Sequence, residues 1–220
     1  MRLCIISDTH NKHKQLTILP DADAIIHCGD MTSVGKEHEI RNFFKWYSKL
    51  NQYKHKICVA GNHDWLFDTS GSWARNLVPK NVTYLEDSET IIDGIKFYGT
   101  PVSRPFCNWA FNRPEEKLNQ HWMAIPNDTD VLITHEVPHK IFDYIDCDDI
   151  YVGSPSLRRE VLERINPTLH VMGHIHEKYG VEVIQNTTFI NASSLNDKYI
   201  CVNKPILVEI IDGKIDIITY

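Results

Sequence analysis

One design, repeated along the chain, constrains the fold more than any other feature: a short apolar run that reads as a buried strand and ends abruptly in a polar cluster. Leu3 to Ile6 precedes Ser7-Asp8-Thr9-His10, Ala24 to Cys28 precedes Gly29-Asp30, and Lys56 to Ala60 precedes Gly61-Asn62-His63-Asp64. Two later runs repeat the pattern, Val131-Leu132-Ile133 before Thr134-His135 and Leu169 to Met172 before Gly173-His174-Ile175-His176. Open α/β folds place ligand chemistry beyond the carboxyl ends of buried strands, so these clusters are expected to converge.

Between the second and third runs, Ile40, Phe43, Phe44, Tyr47 and Leu50 recur at helical spacing, which predicts a helix over residues 36–51 lying on a sheet, and hence a βαβ unit. Residues 82–98 read as short strands turned at Asp93-Gly94. Helices are predicted over residues 115–124 and 156–165, each just after a proline. Residues 181–184, 188–191 and 205–218, the last turned by Asp212-Gly213, read as antiparallel strands. Parallel units in front and hairpins behind predict an α/β (α+β) fold with two packed mixed sheets, in one domain over residues 1–220.

Composition narrows the class. A hydrophobic fraction of 42% with 24% charged residues excludes a disordered or fibrous chain. The net charge of -6 argues against a nucleic acid polymer as partner, which usually requires a basic stripe. No apolar run is long enough for a membrane span, and Met1-Arg2 leads straight into Leu3 without a signal-peptide pattern, so a cytoplasmic location is expected. Cys4, Cys28 and Cys58 lie inside strand-like runs and no C-x-x-C occurs, which reads as buried, reduced thiols.

The strand-end clusters gather Asp8, His10, Asp30, Asn62, His63, His135, His174 and His176. Separately they are ordinary: Asp8 reads as a cap, Gly29-Asp30 as a turn dipeptide and His135 as a partly buried histidine. Together, carboxylate, imidazole and amide donors suit divalent ions of intermediate hardness such as manganese, iron, zinc, nickel or cobalt. They exceed the ligand need of one ion, which points to two ions sharing a carboxylate and clamping an in-line displacement.

The ordered set D-x-H, G-D, G-N-H-D, T-H and G-H-x-H, running from Asp8 to His176, resembles the calcineurin-like metallophosphoesterases. Phe97-Tyr98-Gly99-Thr100-Pro101, Asn108-Trp109-Ala110-Phe111-Asn112, residues 169–180 and Phe189-Ile190-Asn191-Ala192-Ser193 are similar to the brain-type metallophosphoesterase-domain proteins and their microbial relatives. The resemblance implies a four-layer αββα sandwich. It also implies that Asp8, His10 and His176 hold one ion and Asn62, His135 and His174 the other, with Asp30 bridging. His63 then corresponds to a noncoordinating histidine near the leaving group, oriented by Asp64, and Asn62 and His63 face the substrate.

Two departures stand out. Met31-Thr32-Ser33 replaces the D-R-G continuation of the phosphoprotein phosphatases, and Glu136 follows His135, adding negative charge near an anion site.

The expected reaction is hydrolysis of a small phosphodiester, a cyclic or other nucleotide, because the brain-type resemblance implies phosphodiesterase activity. A hydroxide bridging two divalent ions, manganese foremost, attacks phosphorus, since coordination lowers the pKa of water from about 15.7 toward about 7. His63 as imidazolium then protonates the departing alkoxide. Phosphomonoester hydrolysis, nuclease activity and a noncatalytic scaffold are the rival readings. Trp65, Phe67, Trp73, Phe106 and Trp109 offer base-stacking or simple loop packing, and Arg104 and Arg113 offer phosphate pairing or surface charge.

Overall fold

The computed structural model describes residues 1–218. Strands β1 (Arg2–Ile6) and β2 (Ala24–Cys28) lead into helix α1 (Glu37–Tyr47), followed by strand β3 (His55–Val59), helices α2 (Trp65–Thr69) and α3 (Gly71–Arg75), and strand β4 (Thr83–Tyr84). Strands β5 (Ser88–Ile92) and β6 (Ile95–Thr100) form the hairpin turned at Asp93-Gly94. Helix α4 (Glu115–Met123), strand β7 (Val131–Thr134), a small ribbon of β8 (Tyr144–Ile145) and β9 (Ile150–Tyr151), and helix α5 (Pro155–Arg159) come next. Strands β10 (Leu169–Met172), β11 (Gly180–Ile184), β12 (Thr187–Asn191), β13 (Ile206–Ile211) and β14 (Lys214–Ile218) complete the described chain.

Two mixed sheets result, ordered β14-β13-β1-β2-β3-β4 and β11-β12-β10-β7-β6-β5. Alternation along the strands divides the interior. Leu3, Ile5, Ile26, Ile57 and Val59 of the first sheet meet Phe97, Val131, Ile133, Val171 and Ile190 of the second in the seam between them. Their neighbours Cys4, Ile6, Ile25 and Cys58 point outward, under Ile40, Phe43, Phe44 and Tyr47 of α1. On the other outer face Tyr98, Leu132, Met172 and Phe189 are covered by Leu118 and Trp122 of α4 and Leu157 of α5. Each such aliphatic side chain, fully removed from water, contributes roughly 1.5–3 kcal/mol. The central strands are therefore apolar on both faces, which is why they read as continuous hydrophobic runs.

Some elements differ from the pattern expected. Helix α1 ends at Tyr47, and residues 48–51 turn instead, with Leu50 N–H on the Tyr47 carbonyl, bringing Tyr53 and β3 back under the helix. The helix predicted over residues 156–165 is α-wound only to Arg159; residues 160–165 are π-wound, closing with the Asn166 N–H on the Val161 carbonyl. Strand β12 is antiparallel to β11 as expected but parallel to β10, so its carboxyl end points the same way as those of β10 and β7, which carry polar clusters. Helices α2 and α3 were not expected; each is a five-residue element, too short to show a helical period. All six cysteines are free thiols, and Cys4, Cys28 and Cys58 are buried. Among the described residues no helix is long and apolar enough to cross a membrane.

Three histidines outside the strand-end clusters are part of the core. His13, His27 and His170 are fully buried. Burial pushes His170 down to about 3; the Lys14 charge adds to burial in taking His13 to about 4. His170 Nε2 donates to Thr134 Oγ1 (2.8 Å), whose hydroxyl is itself given to the Glu136 carbonyl, while His170 Nδ1 has no partner. A charged ring would thus bury an unpaired N–H. The fold keeps His170 neutral while the unfolded chain takes up its proton below the ordinary value of 6.5. The stability from this ring is therefore full above that value and lost as pH falls toward the folded one. On metal-free protein, urea unfolding followed from neutral to acid pH should show His170→Gln losing about 1.4 kcal/mol less per pH unit than the parent below about pH 6.

Candidate metal centre

All five clusters converge at one end of the sandwich. The first sheet delivers Asp8 and His10 after β1, Asp30 after β2, and Asn62 and His63 after β3; the second delivers His135 after β7 and His174 and His176 after β10. Asp8, His10, Asp30, Asn62 and His135 are buried, whereas His63, His174 and His176 are half-buried and form the open rim.

Three overlapping groups have ligand atoms within 4.8 Å of one another: Asp8 with His10 and His176, His10 with Asp30 and His63, and Asp30 with His135 and His174. Asp30 belongs to two of them. Its Oδ2 lies 3.6 Å from His10 Nε2 on one side and 3.4 Å from His135 Nε2 on the other. His176 Nε2 is 3.5 Å from Asp8 Oδ1, and Asn62 Oδ1 is 2.8 Å from His135 Nε2.

The orientation of the rings suits cation binding. His63 Nδ1 donates to the Ser33 carbonyl (2.7 Å), His135 Nδ1 to that of Cys28 (3.0 Å) and His176 Nδ1 to that of Asn196 (3.1 Å), which turns each Nε2 inward. His10 Nε2 and His176 Nε2 approach to 3.2 Å, an arrangement that calls for a proton or a cation between two lone pairs. Burial lowers His10 to about 4 and His174 to about 3, so both are neutral donors at pH 7. His135 is different. Burial opposes its charge, but Asp30 beside it outweighs burial and raises it to about 10. Without a metal ion, a proton on His135 therefore neutralises charge that a bound cation would neutralise. For Asp8, burial opposes ionisation, yet the hydrogen bond and charge of His176 hold it well below the ordinary carboxylate range.

The backbone here is tightly constrained. Asp8, His10, Asp30 and His174 all have left-handed φ, at 51°, 39°, 55° and 70°, a conformation side chains rarely adopt and one that aims their donors inward. Glycines open the space between them. A Cβ on Gly173 would stand 2.0 Å from Asp8 Oδ2 and 2.1 Å from Ser7 Oγ, and one on Gly61 would stand 2.3 Å from Asp30 Oδ1.

Several expectations need correction. Asp64 does not reach the His63 ring: its oxygens accept from the N–H groups of Gly61 (2.9 Å), Met31 (3.2 Å) and Thr32 (3.0 Å) and from Thr32 Oγ1 (2.7 Å). It ties the loops after β2 and β3 together, and the Ser33 carbonyl orients His63 instead. Burial pushes Asp64 up to about 6, with Asp30 adding to the effect. Glu136 is buried with its carboxylate on the N–H groups of Arg104 and Val137, so it faces backbone amides. Arg113 pairs with Asp68 (2.8 Å), and the Arg104 guanidinium donates to the carbonyls of Val152 and Gly153, so both are held by the protein itself. Phe67 is in the core, Trp73 donates to Glu37, and Trp109 stacks on His63.

Sequence reasoning also missed Ser193, which donates to Asp8 Oδ2 (2.9 Å), and Asn191, whose Oδ1 accepts the Ser193 N–H and whose amide holds the Ile175 carbonyl. The available signal was the polar run Asn191-Ala192-Ser193 directly after an apolar strand.

Known proteins share this frame. The family described as calcineurin-like phosphoesterase matches residues 1–178, and the chain belongs to that family of metal-dependent phosphoester hydrolases. Metallophosphoesterase domain-containing protein 1 of Homo sapiens is 34% identical over 234 residues, covering 95% of this chain and 71% of that protein. A UPF0046 protein of Caenorhabditis elegans is 38% identical over 210 residues, covering 89% of this chain and 70% of that one. The structure of an archaeal phosphodiesterase aligns over 99% of both chains with a TM-score of 0.51 at 17% identity, a likeness of fold.

Two outcomes follow. Gly173→Ala should displace the Asp8 carboxylate and lower bound metal, measured by plasma mass spectrometry, while the folded content seen by circular dichroism is kept. Metal binding to the stripped protein at neutral pH should release protons as His135 surrenders its own, seen as a dependence of the titration heat on buffer ionisation enthalpy.

Proposed function

We propose that this chain is a phosphodiesterase that uses a pair of divalent cations, manganese foremost, to hydrolyse small phosphodiesters, cyclic or other nucleotides among them. The observation that carries the reading is the position of Asp30, one carboxylate set between His10 and His135 and shared by two ligand groups. Asp8, His10 and His176 would hold one ion, Asn62, His135 and His174 the other, and Asp30 both. When bound, such a pair polarises the phosphoryl group and lowers the pKa of water at the site.

The residues of the chain then divide the remaining work. His63, at the rim, has its Nδ1 proton committed to the Ser33 carbonyl, so Nε2 is the atom that faces a substrate and gives a proton to the departing alkoxide. Asp30 Oδ1 accepts the His63 N–H (2.8 Å), which fixes the loop carrying that ring against the shared carboxylate. A small diester as substrate is supported by the archaeal structural neighbour being a phosphodiesterase and by the acidic balance of the chain, which disfavours long polyanions.

The test is a matrix of metal-stripped protein with manganese, nickel, zinc, cobalt or magnesium against bis-aryl phosphates, mono-aryl phosphates, cyclic nucleotides and linear dinucleotides. Manganese should restore turnover at two equivalents, with diesters ahead of monoesters; saturation at one equivalent or a monoester preference would overturn the corresponding part of the reading. His63→Ala should keep its metal and lose rate on the order of 10². Loss of metal in that variant would instead make His63 a ligand with His10 and Asp30.

A further inference from the structure

The His63 ring is held on three sides. Its Nδ1 is bonded to the Ser33 carbonyl, the His10 ring meets it edge-on at 4.6 Å between centroids, and the Trp109 indole lies over its face at 3.9 Å with 26° between planes. Trp109 belongs to a loop between β6 and α4 that is fastened at several points. Ala110 N–H donates to the Asn62 carbonyl (3.0 Å), directly before His63, and Phe111 N–H donates to Asp68 Oδ2 (2.9 Å). Arg113 binds the other oxygen of Asp68 (2.8 Å), and Ser103 and Phe111 close the base of the loop (3.1 Å). A half-buried tryptophan carried on a loop anchored this way has few alternative positions.

We infer that Trp109 is a positioning residue for proton delivery: its indole face presses the His63 imidazole into the one orientation in which Nε2 points at the leaving group. This deepens the assignment of His63 as acid and rests on it. With the stack removed, the ring keeps the Ser33 bond but can swing about it, and proton transfer depends steeply on such alignment. The effect should therefore appear where the departing group needs a proton and disappear where it does not.

The experiment compares the full chain with Trp109→Ala, Trp109→Phe and His63→Ala, all manganese-loaded, on aryl phosphodiesters whose phenols range from good to poor leaving groups. Metal content is checked throughout. His63→Ala should steepen the dependence of kcat on leaving-group basicity. Trp109→Ala should steepen it in the same sense, losing about tenfold on the poorest leaving group and little on the best, with KM unchanged. Trp109→Phe should recover most of the loss, and the double variant should be no worse than His63→Ala. Without metal, the His63 ring protons, assigned by their absence in His63→Ala, should lie upfield in the parent proton NMR spectrum and move downfield in Trp109→Ala. A steep His63→Ala series beside an unchanged or uniformly lowered Trp109→Ala series overturns the positioning role alone. An unchanged slope in His63→Ala overturns the acid assignment and this inference with it.

Discussion

The arrangement depends on one buried carboxylate. Asp30 sits between histidines contributed by different sheets, and its ionisation is opposed by burial yet strongly favoured by His135 and other rings around it. A lone buried charge would cost several kcal/mol; paired with inward-facing imidazoles it becomes an anchor that organises its neighbours. Asp30 Oδ1 receives the His63 amide, so the loop after β3 is fixed by the same side chain. Asp64, in turn, gathers three amides from the loops after β2 and β3, which makes these two segments a single rigid unit.

That rigidity costs backbone strain. Left-handed φ values at Asp8, His10, Asp30 and His174 each cost on the order of 1–3 kcal/mol and persist because the seam of packed strands below over-determines them. Glycines at 61 and 173 leave the gaps into which Asp30 and Asp8 fit. The site is thus assembled from constraints that run opposite to local preference, and the core supplies the stability that tolerates them.

How much of this the chain announces in advance depends on how local the signal is. The strands before Asp8, Asp30, Asn62, His135 and His174 are largely apolar on both faces, so each appears as an apolar run with a sharp polar end, and both the mixed-sheet architecture and the converging clusters were legible. Contacts between distant segments were not. Ser193 meets Asp8 across a separation of 185 residues, and no spacing rule connects them. Residues 188–191 read as an antiparallel strand, which hid that β12 also runs parallel to β10 and ends where the strands carrying the polar clusters end. The family resemblance implied Asp64 as the partner of the His63 ring, whereas the backbone turn directs it toward amides. The buried His13, His27 and His170 carry no periodic mark, since a histidine inside an apolar segment looks the same whether it is neutral core or ligand.

The division of donors between the two layers has a mechanical consequence. Over most of their area the sheets meet through apolar side chains, which resist sliding weakly and without direction. At the site end they are laced: Ser194 N–H reaches the Ser7 carbonyl (2.9 Å), His135 reaches that of Cys28, and Asp8 spans to His174. Divalent cations coordinated from both layers would act as rivets through this seam, so that occupancy governs how readily the sandwich parts at its mouth, and the protein's resistance to opening rises with free metal concentration as any ligand linked to the folded state requires.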